Sequence, residues 1–194
     1  VDGPGSVSDD QRQITNCTAT STGNYPNGST VTLTAISVGD GAQFMGWAGA
    51  CGGTGTCAVS MTQNQAVSAT FGWPLTVSKV GTGAGTVTSN PGGINCGADC
   101  DEVYRQGTPV ALSQAANPGS VFKGWSGACT GAGACNVVMD NVRFVTADFE
   151  LVRNLTASVT TCVFPNCGGT ITSSSVPTQP GEPRINCTAP PTPP

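Results

Sequence analysis

Residues 44–71 read FMGWAGACGGTGTCAVSMTQNQAVSATF, and residues 122–149 read FKGWSGACTGAGACNVVMDNVRFVTADF. Fourteen of these 28 positions are identical with no gap, far more than chance allows, so one module is used twice. In the second stretch Val145, Ala147 and Phe149 alternate with Thr146 and Asp148, the period of a half-buried strand. Helical periodicity is nowhere evident. Phe44 with Trp47, and Phe122 with Trp125, are the expected core anchors, because a buried indole gives a small module much of its apolar area. The reading is all-β: tandem small modules stapled by disulfides.

Working outward, the complete copy starts at Leu75. Leu75–Val80 and Thr86–Ser89 read as a hairpin across Gly81–Gly85, which has the glycine content of a phosphate loop but no helix after it. A cysteine loop at Asn95–Asp101, a strand at Pro109–Gln114, a second cysteine loop at Cys129–Cys135 and strands at Asn136–Met139 and Phe144–Phe149 complete the unit. The first copy is expected to begin near Ile14, where ITNCTA matches INCGAD of the complete copy. In the last copy Leu155–Thr160 and Gly169–Ser173 repeat the hairpin, and Arg184–Ala189 supplies RINCTA. The expected organisation is an N-terminal segment (1–13), the C-terminal half of a module (14–72), a complete module (73–150), the N-terminal half of a module (151–189) and a proline-rich tail (190–194). One complete module is thus flanked by two complementary halves.

Charged residues make up 9% of the chain, net charge is −4, and the seven Lys and Arg are scattered, which leaves no phosphate-tracking stripe for nucleic acid. There is no histidine, so the commonest general base and metal ligand are both missing. No enzymatic activity, cofactor or metal is expected. Asp99, Asp101 and Glu102 surround Cys100 without the ligand spacing of a calcium loop, and read as a solvated acidic turn. No apolar run is long enough to span a bilayer, and a secreted form would have Val1 following a processing site.

Ten cysteines at mostly short spacings indicate an oxidising compartment, extracellular or at a cell surface. Zinc ribbons want paired knuckles with two residues between cysteines, whereas these intervals are longer and rich in Gly and Ala. By place in the module, Cys51–Cys57 and Cys129–Cys135 are equivalent bonded loops. Cys96–Cys100 is a second loop of the complete copy, and Cys162–Cys167 an extra one in the last hairpin. Each closed loop should stabilise by about 2 kcal/mol. Cys17 and Cys187 remain, both within Asn-Cys-Thr-Ala and both without a local partner. Paired with each other, they close one molecule or link successive molecules head to tail, with Leu155–Ser173 completing the neighbour's sheet. The partner is then the chain itself, with a host or matrix surface as the other partner class.

The series Thr-Val-Thr-x-Asn-Pro, Ile-Asn-Cys-Gly, Phe-x-Gly-Trp-x-Gly-x-Cys and Val-x-Met-Asp, carried by Gly85–Pro91, Ile94–Asp101, Phe122–Cys129 and Cys135–Phe149, resembles the bacterial extracellular repeat related to the internalin B-repeat, the divergent B-repeat. It returns at 44–71 and more weakly at 155–187. The resemblance implies small β-rich modules of bacterial surface or secreted proteins, generally without catalytic residues. Three functions follow: a fibre subunit joined by Cys17 and Cys187, a spacer or adhesive repeat of a longer surface protein, or a carbohydrate-binding module presenting its tryptophans. Trp73, beside Pro74 at the module junction, is expected to stiffen that junction. Sequons at Asn16, Asn27, Asn154 and Asn186 mean little in a bacterial chain rich in Ser and Thr, and the prolines from Pro177 onward favour an extended tail.

Overall fold

A computed structural model describes residues 1–155 and the backbone of 170–172 and 186–188. Its elements are all strands: β1 (Gly5–Asp9), β2 (Thr30–Ser37), β3 (Gln43–Gly49), β4 (Cys57–Ser60), β5 (Val67–Val80), β6 (Gly85–Asn90), β7 (Asp101–Arg105), β8 (Pro109–Ala116), β9 (Ser120–Gly127), β10 (Cys135–Val138), β11 (Arg143–Leu151), β12 (Thr170–Thr172) and β13 (Asn186–Thr188). The fold is all-β, and residues Val1–Val152 form one compact unit.

The organising element is β5. At 14 residues it is the longest strand, and it is the last strand of the first module and the first strand of the second. Its odd-numbered residues Ala69, Phe71, Trp73, Leu75 and Val77 are all buried, so a single face carries apolar side chains across the junction. Trp73 packs into the core of the second module beside Leu75. A continuous strand runs through the module boundary expected at residues 72 and 73.

In the second module β11 lies parallel to the second half of β5, with Val145 opposite Val77, and antiparallel to β9. β7 pairs antiparallel with β5 on its other side. A separate three-stranded sheet, β10-β8-β6, carries Val87, Val110, Leu112 and Val137 into the same core. Alternation along each strand sends one set of side chains inward, and the two layers bury them against each other.

This corrects the hairpin reading of Leu75–Val80 and Thr86–Ser89. β5 and β6 belong to different sheets, and the Gly81–Gly85 connection crosses from one layer to the other. Glycine is required because the connection runs against the backbone of β11. A Cβ on Gly81, whose φ is +95°, would stand 2.1 Å from the Phe149 carbonyl oxygen, and Gly83 N–H donates to that same oxygen at 2.8 Å. The acidic turn at residues 101–102 is likewise the start of a strand, β7.

The first module repeats the layout. β3 pairs with the first half of β5, and a three-stranded sheet β1-β2-β4 covers it. β1 occupies the place that β6 holds in the second module. Gly5 abuts the Phe71 ring as Gly85 abuts the Phe149 ring. Cys17 N–H donates to Val7 O at 2.9 Å, as Cys96 N–H donates to Val87 O at 2.7 Å. Residues 1–13, expected to lie outside the modules, therefore contribute a strand to the first one. In the C-terminal segment β12 pairs antiparallel with β13, setting Ile171 opposite Cys187, the arrangement of Val7 and Cys17.

Candidate functional site

The Phe-x-Gly-Trp elements fold alike in both modules. Trp47 N–H donates to Gly53 O at 2.8 Å and its indole N–H to Gly55 O at 2.9 Å, while Trp125 makes the same two bonds to Gly131 at 2.7 Å and Gly133 at 3.1 Å. Phe44 meets Trp47 and Phe71 at ring distances of 5.1 and 5.2 Å, and Phe122 meets Trp125 and Phe149 at 4.9 and 5.5 Å. Both tryptophans are buried, and Phe44 and Phe122 are half-buried. An indole sunk to this depth offers no stacking platform to a sugar, which argues against the carbohydrate-binding reading. Cys51–Cys57, Cys129–Cys135 and Cys96–Cys100 are bonded. Cys17 carries no disulfide partner among the described residues, and its thiol donates to Ala19 O at 2.6 Å. Cys162–Cys167 and the strand after Leu155 lie outside the described residues. Among those residues no cluster of acidic or sulfur side chains has the geometry to hold a metal ion, and Asp101 and Glu102 pair instead through the β7 backbone.

The difference between the modules defines the site. In the second module the buried half of β5, with Leu75 and Val77, fills the space between β11 and β7. Among the described residues the first module has no strand in the corresponding place. Its β11 counterpart is the beginning of β5, and the parallel ladder beside it consists of the single bridge Asp2–Thr70. Asp2 N–H donates to Ala69 O at 2.9 Å and Phe71 N–H to Asp2 O at 2.7 Å. Asp2 thus stands where Val80 stands beside Asp148.

Where Leu75 and Val77 would sit there is a groove of about 420 Å³. Ile14, Cys17, Tyr25, Leu33, Met61 and Val67 line it, and all six are only partly buried. Their counterparts Ile94, Cys96, Tyr104, Leu112, Met139 and Val145 are all buried, at 5% exposure or less. Same residue positions, same framework, one strand fewer among the described residues: the groove lies at the position of a first strand. Its rims are residues 65–68 on one side and Ser21–Gly23 on the other.

A polar clasp holds the second rim. Tyr25 O–H donates to Asp9 Oδ2 at 2.9 Å, in the place where Tyr104 O–H donates to Ser89 Oγ at 2.8 Å. Asp9 also accepts the backbone N–H of Gln11 at 2.6 Å, of Gln13 at 3.2 Å and of Ile14. Burial raises the Asp9 carboxyl, but the bonds from Ile14, Tyr25, Gln13 and Gln11 together outweigh it and hold the group below the ordinary carboxylate value. Burial first, then the bond to Asp9 and the charges of Asp9 and Asp10, push the Tyr25 hydroxyl up to about 12. At neutral pH the clasp is a neutral phenol on a carboxylate.

The model of the divergent InlB B-repeat domain matches residues 12–72 and again residues 75–153. The chain belongs to the divergent InlB B-repeat family. No curated protein and no solved structure matches it. The two B-repeat matches meet within β5, so successive B-repeats here share a strand instead of being joined by a linker. Family membership makes the chain a repeat protein of the kind found on bacterial surfaces. Sequence reasoning found the tryptophan and cysteine elements and expected an unfinished sheet in the first copy, but took half a module to be missing, because Gly5-Ser-Val7, set against Gly85-Thr-Val87, carries no cysteine or aromatic residue to mark β1.

Proposed function

We propose that this chain is a structural subunit of an extracellular bacterial fibre, joined head to tail by strand complementation and an intersubunit disulfide. The supporting observation is the groove at the first-strand position of the first module, lined by Ile14, Leu33, Met61 and Val67. An unpaired sheet edge beside exposed apolar surface is a template for strand addition. The β1 strand narrows what a neighbour must supply: with the β6 position already filled, the first part of Leu155–Ser173 is the part that enters. Cys17, without a disulfide partner among the described residues and on the groove wall, is the acceptor-side cysteine, and Cys187 is its partner from the next subunit.

The ten cysteines, three of the pairs bonded, and the B-repeat family support a location outside the cell. The continuity of β5 favours a second reading, a stiff spacer repeat within a longer adhesive surface protein, because modules that share a strand transmit bending. Host or matrix contact belongs to that reading. Non-reducing electrophoresis of the purified chain separates the two. The fibre reading expects a ladder that collapses with Cys17→Ser or Cys187→Ser, and filaments in the electron microscope. A monomer band with and without reductant would leave the spacer.

A further inference from the structure

We infer that the groove is a strand acceptor for Leu155–Ser158 of a second copy, which enters parallel to residues 65–68 with Leu155 and Ala157 turned inward. The inference rests on the head-to-tail reading and specifies its joint. The second module provides the pattern. There Leu75-Thr-Val-Ser runs parallel to β11, its Leu75 and Val77 are 0% and 2% exposed, and Val77 lies opposite Val145. Leu155-Thr-Ala-Ser repeats that segment with Leu, Thr and Ser retained, six residues after Phe149 where Leu75 stands four after Phe71. Leu155 is 75% exposed, the most exposed large apolar side chain among the described residues.

Transferring the register sets Ala157 opposite Val67 and Ser158 opposite Ser68. The next position belongs to Val1, whose neighbour Asp2 is already bridged to Thr70, so pairing ends at Ser158. Four backbone positions and two inward side chains, one of them an alanine, make a weak joint. A disulfide between Cys17 and Cys187, whose two thiols give up two protons and two electrons to a small-molecule disulfide of the oxidising exterior, is then what makes it last, which explains a cysteine on the groove wall.

The test uses full-length Leu155→Asp, which keeps the groove but loses its own donor. A peptide of residues 153–160, RNLTASVT, should bind saturably and shift the backbone amide resonances of Gly23, Val67 and Ser68. A control peptide with Asp in place of the leucine and Ser in place of the alanine should bind at least tenfold more weakly, since burying one leucine is worth about 1.5–3 kcal/mol. Absence of saturable shifts, or equal binding of the control, overturns the inference. So does a peptide of residues 74–80, PLTVSKV, that binds where RNLTASVT does not, because the groove then belongs to another strand. If RNLTASVT binds as described while the wild-type chain forms neither ladder nor filament, the acceptor stands and the fibre falls. If Leu155→Asp still forms the full ladder and filaments, the fibre stands and the acceptor falls.

Discussion

The vacant strand makes matched substitutions in the two modules unequal. Leu112 and Leu33 hold the same position in β8 and β2, yet Leu112 is 5% exposed beneath β5 while Leu33 is only partly buried on the groove wall. Truncating a buried leucine to alanine costs about 2–5 kcal/mol, the lost transfer energy plus the cavity left behind. Leu112→Ala has both costs. Leu33→Ala loses about half of the 1.5–3 kcal/mol transfer energy and creates no closed cavity, because its neighbour space is already open, so its cost is about 1 kcal/mol. In a Leu155→Asp background, urea unfolding followed by tryptophan fluorescence should give destabilisations differing by at least about 1 kcal/mol. Saturating RNLTASVT should then raise the cost of Leu33→Ala towards that of Leu112→Ala without changing the latter. Equal costs in the unliganded protein would refute the reasoning, because Leu33 would already be covered.

Other outcomes follow from the same geometry. Tyr25 is protonated in the folded state well above its ordinary value of 10, so its contribution is complete below pH 10 and is lost as pH rises towards about 12; near-ultraviolet titration should find the wild-type first module loosening in that window and Tyr25→Phe, already weaker by roughly 1 kcal/mol, lacking the step. Asp9 behaves oppositely: its contribution is complete above its unfolded value of 3.8 and disappears below it as the carboxyl protonates, so Asp9→Asn should remove an acid transition in the same titration. Gly85→Ala drives a Cβ to 2.2 Å from the Phe149 ring, and Gly5→Ala to 2.3 Å from the Phe71 ring; each should cost about 1–3 kcal/mol in thermal unfolding. Replacing both Cys129 and Cys135 by Ser should cost about 2 kcal/mol, measured by the same unfolding.

What could be read from the residues was what local pattern dictates. Trp47 and Trp125 sit between a glycine and a cysteine loop in both copies, and this spacing encodes their burial directly. Alternation in Val145, Ala147 and Phe149 gave β11 and its inner face. Layer assignment was not legible, because strands adjacent in sequence usually pair and nothing in Gly81–Gly85 distinguishes a tight turn from a crossing between sheets. The parallel pairing of β5 with β11 joins residues far apart in sequence, which no local periodicity reports. β1 was missed because its approach to Gly5 is shorter than the glycine loop of the second module and Ile14-Thr-Asn-Cys17 carries one residue more than Ile94-Asn-Cys96. The fit to the complete module therefore slips there. With β1 unrecognised, half a module looked absent, when the vacancy is one strand wide.

That vacancy can be measured across two molecules. In a Cys17→Ser, Cys187→Ser background, one copy carrying Ser68→Cys is mixed with a differently tagged copy carrying Ser158→Cys, and a short bis-thiol crosslinker is added. Parallel pairing in the register of Ser78 and Thr146 sets these two positions side by side on the solvent face. The expected result is a crosslinked heterodimer that vanishes with Leu155→Asp in the donor copy and falls sharply when the acceptor cysteine is moved to position 30. No heterodimer, or one indifferent to both changes, would mean that the first module does not take its missing strand from another molecule.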